Sequence, residues 1–140
     1  MNEAHWSHFP HSADLGVRGV GPTAAAAFEQ AACALFAAIA DLSGVAADVQ
    51  VEIRCHAPDL KFLFVDWLNA LIFEAGTRKM IFGRFTVAID GSDLKASAWG
   101  EAIDPKRHAP AVEPKGATFT ELRVEPAADG SWIAQCVVDV

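Results

Sequence analysis

The sequence predicts an α+β fold in a single domain, residues 1–140, with two main helices packed on a mostly antiparallel or mixed β-sheet. Three observations predict it. Two stretches repeat apolar residues at helical spacing, others alternate apolar with polar residues, and Asp-Gly pairs separate neighbouring extended segments. With 140 residues, 52% of them hydrophobic, the chain can bury one sizeable core.

Residues 5–10 (His-Trp-Ser-His-Phe-Pro) read as a short first strand. A turn follows at His11-Ser-Ala-Asp14-Leu-Gly16, and Val17 to Val20 is a second short extended piece. Gly21-Pro-Thr23 starts a helix with Thr23 as N-cap. Its face carries Phe28, Ala31, Leu35 and Ile39, and its many alanines allow close packing on a sheet. The helix is expected to run to about Asp41 and to stop at Ser43-Gly44. Val49 to Cys55 alternates as a half-buried strand does. Pro58 opens a second helix, with Asp59 favourable in its first turn. Leu60, Leu63, Phe64, Trp67, Leu68, Leu71 and Ile72 form its core-facing stripe. Phe85 to Ile89 is a strand, Asp90-Gly91-Ser-Asp93 a hairpin turn, and Leu94 to Trp99 the returning strand. Residues 100–116 read as irregular and charged. Ala117 to Val124 is a further strand, Asp129-Gly130 turns the chain, and Trp132 to Val140 is the last strand.

Charge narrows the function. Eleven basic against 18 acidic residues give a net charge of −7, which excludes autonomous binding to nucleic acid through its phosphates. Any part in nucleic-acid chemistry must run through a protein partner. Cys33, Cys55 and Cys136 are widely spaced within apolar patterns and match no zinc motif, so they read as core residues of a reducing compartment. The opening Met1-Asn-Glu-Ala-His lacks the pattern of a secretory leader, and the apolar tract Ala31 to Ala40 is too short to span a membrane. A cytoplasmic protein with no membrane partner is expected.

The carboxylates at the two ends carry the sharpest chemical signal. Asp14 sits in the first turn, and Asp139 arrives on the final strand one residue before Val140 and its terminal carboxylate. If the first and last strands are neighbours, these oxygens form a cluster suited to a hard divalent cation: calcium, magnesium or manganese rather than zinc. Strand alternation puts Asp139 at the end of the partly apolar face of Ile133, Gln135 and Val137, where an unpaired charge is costly. Glu101, Asp104, Arg107 and His108 concentrate ionisable groups suited to acid/base work or to an interaction surface. Lys115, between Pro114 and Gly116, can reach a carboxylate or phosphate. His5, His8 and His11 alternate along a strand, so His8 points away from the other two and a three-histidine metal site is disfavoured. No phosphate-cradling glycine loop or nucleophile elbow is present.

In these blocks and their order the chain resembles an archease. The correspondence runs through His11-Ser-Ala-Asp14-Leu-Gly16, the Ala-rich helix ending at Asp41, Val65-Asp-Trp-Leu-Asn69 and Trp99-Gly-Glu101. It continues through Asp104 with Arg107-His108, Lys115-Gly-Ala-Thr118 and Val137-Val-Asp-Val140. The resemblance implies a single-domain archease-like sandwich and a non-catalytic protein cofactor of the GTP-dependent RNA ligase that joins tRNA exons and repairs cleaved RNA. Such a cofactor promotes guanylylation of the ligase's active-site histidine and supports multiple turnover, meeting RNA only through the ligase. It also implies a divalent-cation site, calcium first, at Asp14, Asp139 and the backbone or terminal oxygen of Val140. The family's functional lysine maps to Lys115, and Glu101, Asp104, Arg107, His108 and His11 are the expected partner or activation surface. The chain departs from the family around Lys115: Pro114 and Gly116 replace its usual neighbours, and Phe119 and Thr120 stand where a tyrosine and a histidine are usual. The alternatives are a small metal-dependent phosphoester hydrolase with His108 as base, and a chaperone-like module binding through the Trp67 helix face.

Overall fold

The computed structural model describes residues 3–140; Met1 and Asn2, the first part of the segment assessed for a leader, lie outside them. Strands β1 (His5–His11) and β2 (Asp14–Gly21) form a tight hairpin whose closing pair is His11 with Asp14. Asp14 is therefore the first residue of a strand rather than part of the turn. Ser12 makes the reversal in the left-handed region, at φ 52°. Helix α1 (Ala24–Ala37) follows, and Thr23 caps it by accepting the Ala26 N–H at 3.1 Å, as expected. The helix stops four residues short of Asp41. There the Asp41 side chain accepts from the backbone and hydroxyl of Ser43 and caps a separate 3₁₀ turn, Leu42–Gly44.

Strand β3 (Val49–His56) leads to α2 (Leu60–Arg78), where Asp59 rather than Pro58 is the cap, accepting from Phe62 N–H at 2.9 Å. Lys79 ends α2 in the left-handed conformation. Strands β4 (Met80–Asp90) and β5 (Asp93–Ala102) make a longer hairpin than the alternation alone predicts, and β4 carries a bulge between Phe82 and Arg84. A single helical turn, α3 (Pro105–His108), interrupts the region read as irregular.

The predicted strand 117–124 divides into β6 (Gly116–Ala117) and β7 (Arg123–Pro126). Thr118 causes the break by donating from both its hydroxyl and its N–H to the Val137 carbonyl. Val137 N–H in turn donates to Thr120, and Gln135 donates to the Glu121 carbonyl, so the intervening turn satisfies what a continuous ladder would have. The last strand is β8 (Trp132–Asp139).

All pairings are antiparallel, and the strands form two sheets rather than one. One runs β1-β2-β8-β6, with β7 beside β6 on the same edge of β8; the other runs β3-β5-β4. Helix α1 packs on β2 and β4, and so on both sheets. Val87 N–H donates to Glu29 on α1 at 2.7 Å, and His8 donates to the Ala34 carbonyl at 2.6 Å. Phe28 and Phe64 meet edge-on between the helices, and the Trp67 indole N–H donates to the Phe28 carbonyl. Trp67 is fully buried, so its stripe is core and offers no face for a chaperone-like module. Burial pushes the thiols of Cys33 and Cys55 up to about 11 and that of Cys136 to about 12, as suits inert core residues.

Close approach of α1 to β2 requires Gly19, where a Cβ would overlap the backbone of Ala27 and Ala31. Gly19→Ala should destabilise the fold by about 1–3 kcal/mol, as overpacking does. Gly76 lies in α2 with open space around a Cβ, so Gly76→Ala should stabilise by about 0.5–1 kcal/mol. Urea denaturation checks both, and a Gly19→Ala protein as stable as wild type would contradict this helix placement.

Candidate functional site

The row of residues at one end of the larger sheet is set by strand register. His11 opposes Asp14 across β1 and β2, and Leu15 opposes Val138 across β2 and β8. One step further along the same ladder brings Asp14 beside Asp139. Asp139 in turn opposes Gly116 on β6, and Lys115 N–H donates to the Asp139 carbonyl at 2.8 Å. Directly opposed residues share a sheet face, so His11, Asp14 and Asp139 form one row. The Arg18–Gln135 hydrogen bond, 2.8 Å long, marks the same face further along the strands.

Asp139 is exposed and Asp14 half-buried, and among the described residues neither carboxylate takes part in a hydrogen bond or ion pair. His11 Nδ1 is buried without a partner. The second strand, which carries Asp14, thus lies beside the last, which carries Asp139, and this brings the two aspartates together although the first strand does not itself pair with the last. Among the described residues, however, no three His, Cys, Asp or Glu side chains converge closely enough to hold a metal. A cation at this row would draw on two carboxylates, an oxygen of Val140 and water. That donor set fits a hard ion, for which two adjacent unpaired carboxylates are a suitable seat.

The second cluster has a different character. Glu101 Oε1 accepts from Arg107 at 2.5 Å, and its Oε2 accepts from the Ala46 N–H at 2.7 Å and from His108 Nε2 at 3.0 Å. The Asp104 N–H donates to His108 Nδ1 at 2.8 Å, which leaves Nε2 as the nitrogen that carries the proton. Arg107 also donates to the Gly44 carbonyl. These bonds clamp the 3₁₀ turn to β5 and α3. The His108 side chain is 1% exposed and that of Glu101 12%, so neither presents the expected activation surface. With both ring nitrogens occupied, His108 also cannot be the base of a hydrolase. Asp104 and Arg107 remain exposed.

A cavity of about 350 Å³, lined by residues including Leu35, Phe36, Ile72, Ile81 and Val112, lies between the helices and the segment after α3. Its only ionisable lining groups are Lys79 and Glu113, and it does not include the carboxylate row. Among the described residues no helix is long and apolar enough to cross a membrane.

The sequence model described as the Archease protein family (MTH1598/TM1083) matches residues 6–140. The chain belongs to the archease family. The archease of Pyrococcus furiosus is 36% identical over 139 residues, covering 96% of this chain and 98% of the relative. That of Sulfolobus acidocaldarius is 34% identical over 134 residues, covering 94% and 96%. The solution structure of Methanobacterium thermoautotrophicum protein 1598 superposes with a TM-score of 0.83 at 29% identity, over 96% of this chain and 98% of that one. The crystal structure of an archease, possible chaperone, from Thermotoga maritima gives a TM-score of 0.62 at 20% identity over 94% of each chain, a likeness of fold. The resemblance read from the sequence and the α+β class are both borne out.

The Glu101 clamp has a pH signature. Arg107 first, then the Ala46 N–H and His108, hold the Glu101 carboxyl at about 2, against an ordinary value of 4.5. A lowered folded value means that its stabilisation is complete above about 4.5 and disappears as pH falls toward 2. Glu101→Gln should therefore be less stable than wild type at neutral pH, with the gap closing between pH 4.5 and 2. Urea midpoints measured across that window check this, and a gap independent of pH would contradict it.

Proposed function

We propose that this archease is a protein cofactor of a GTP-dependent RNA ligase, promoting its guanylylation and repeated turnover, and is not itself an enzyme. The observation that carries the reading is the β2–β8 register, which makes Asp14 and Asp139 neighbours in a protein of the archease family. Asp14, Asp139 and an oxygen of Val140 would hold a divalent cation, calcium first, with magnesium or manganese as alternatives. Such an ion would supply positive charge for nucleotidyl transfer.

The chain's own residues do the rest. Asp14 and Asp139 present two unpaired carboxylates at the rim of the sheet. Lys115 is exposed one residue from the row, its backbone fixed to Asp139, and offers an ammonium to a carboxylate or phosphate of the partner. Asp104, Arg107 and His11 add polar contacts, whereas Glu101 and His108 act by holding the clamp. A net charge of −7 suits docking on a basic ligase that itself holds the RNA.

Ligase guanylylation is the test. Asp14→Ala and Asp139→Ala proteins should lose most of the stimulation that wild type gives, and Lys115→Ala should weaken it. A cation at a hundred times its dissociation constant should stabilise wild type by about 2.7 kcal/mol and leave both aspartate variants unmoved. If both stimulate as wild type does, the carboxylate row has no part in activation.

A further inference from the structure

Three of the five large hydrophobic side chains exposed among the described residues gather along α2 and the turn beside it: Phe62 at 46%, Phe73 at 65% and Phe119 at 60%. On a helix, positions 62, 66, 69 and 73 lie along one stripe away from the Trp67 core, so Phe62, Asp66 and Phe73 face outward while Asn69 between them is turned against β6. Phe119 leaves the turn after β6 to meet Phe62 edge-on at 5.5 Å. At about 200 Å² per ring, the touching pair Phe62 and Phe119 exposes roughly 210 Å² of aromatic surface, and Phe73 lies further along the same stripe beyond Asp66 and Asn69.

We propose that this stripe is the face on which the chain docks its protein partner, a partner with a basic surface and apolar recesses. The inference rests on the ligase reading above and adds the place of contact. Two observations select the occupant. The first is continuity with the carboxylate row: Asn69, within the stripe, accepts from the Ala117 N–H at 2.8 Å, while the preceding Gly116 pairs with Asp139. The two-residue strand β6 therefore lies between the aromatic stripe and the row, so a partner that wraps this edge of the sheet reaches both. The second is charge. Three carboxylates, Asp59, Asp66 and Glu121, are exposed near the rings without an ion pair, against the one exposed lysine next to Phe62, Lys61, on a chain of net charge −7. That pattern repels a second copy and attracts a basic protein. Aromatic anchors edged by charge are the usual centres of binding energy.

Association of the full chain with the GTP-dependent RNA ligase of its own organism tests this by calorimetry, with sedimentation and vesicle co-sedimentation alongside. Phe62→Ser and Phe119→Ser should each weaken ligase binding at least about ten-fold, because a truncated anchor costs that much or more. Both should melt as wild type does, since neither ring is in the core. Val49→Ser, at an equally exposed residue of the other sheet, should bind as wild type does. If wild type binds and stimulates the ligase and the phenylalanine variants bind equally well, the docking face is wrong while the ligase reading stands. If wild type binds no ligase, both fall. If the variants abolish only self-association or vesicle binding, the face serves a second copy or a lipid surface, and the proposal is overturned.

Discussion

Antiparallel pairing of β2 with β8 is the constraint on which the rest of the molecule depends. It joins segments more than a hundred residues apart, as the Arg18–Gln135 bond across 117 positions shows. Closing so long a loop costs conformational entropy that grows only slowly with length, so a modest apolar interface can offset it. Helix α1 supplies that interface, seating fully buried Ala27 and Ala31 against Gly19 while β8 contributes Ala134, Cys136 and Val138. Small residues do this because they let the helix backbone approach the sheet. The same register that closes the core sets Asp14 beside Asp139.

Two groups of ionisable residues look equivalent in the sequence and are opposites in the fold. Glu101 and His108 are fully engaged: the carboxylate takes three donors, and His108 has one bond at each nitrogen. Such a network rigidifies the segments it joins and leaves Glu101 and His108 no capacity for a ligand. In the carboxylate row the polar groups are unused, including the buried His11 Nδ1. Leaving the buried His11 Nδ1 unmet costs stability, and a fold under no other demand would pair it. The contrast makes the row, rather than the denser cluster, the place where chemistry with another molecule is to be sought.

What was legible in the sequence follows from how local each cause is. Thr23 and the apolar period mark α1, but the helix ends earlier than the period predicts and the Asp41 side chain caps a separate turn by capturing Ser43. Alternation located the strands without saying which of them pair, so two sheets looked like one. The 117–124 segment alternates well enough for a strand, yet the Thr118 hydroxyl breaks it by bonding the Val137 carbonyl. Asp14 and Asp139 were legible as a pair only on the condition that the terminal strands meet, a long-range fact that no window of sequence contains. The role of Glu101 and His108 was hidden for the same reason, since Ala46 and Gly44 complete their network from more than fifty residues away.

The outward rings of α2 show how one helix can serve two surfaces. Phe62 is next to Leu63 and Phe64 in the chain, but helical geometry turns successive residues by about 100°, sending Leu63 and Phe64 into the core and Phe62 to the surface. The helical period leaves Phe62 and Phe73 off the core-facing stripe of Leu60 to Ile72, but it does not say what covers them or that Phe119 joins them. The core does not need the outer rings, because Trp67, Leu68 and Leu71 already fill the inner side. Asp66 within the same stripe keeps it from becoming a continuous sticky strip, and the net charge of −7 opposes self-association. Apolar anchors lengthen a complex's lifetime, while surrounding charge raises its rate of formation. Both features lie along a helix whose Asn69 is bonded to the strand beside Asp139, so the outward rings and the carboxylate row border the same short strand.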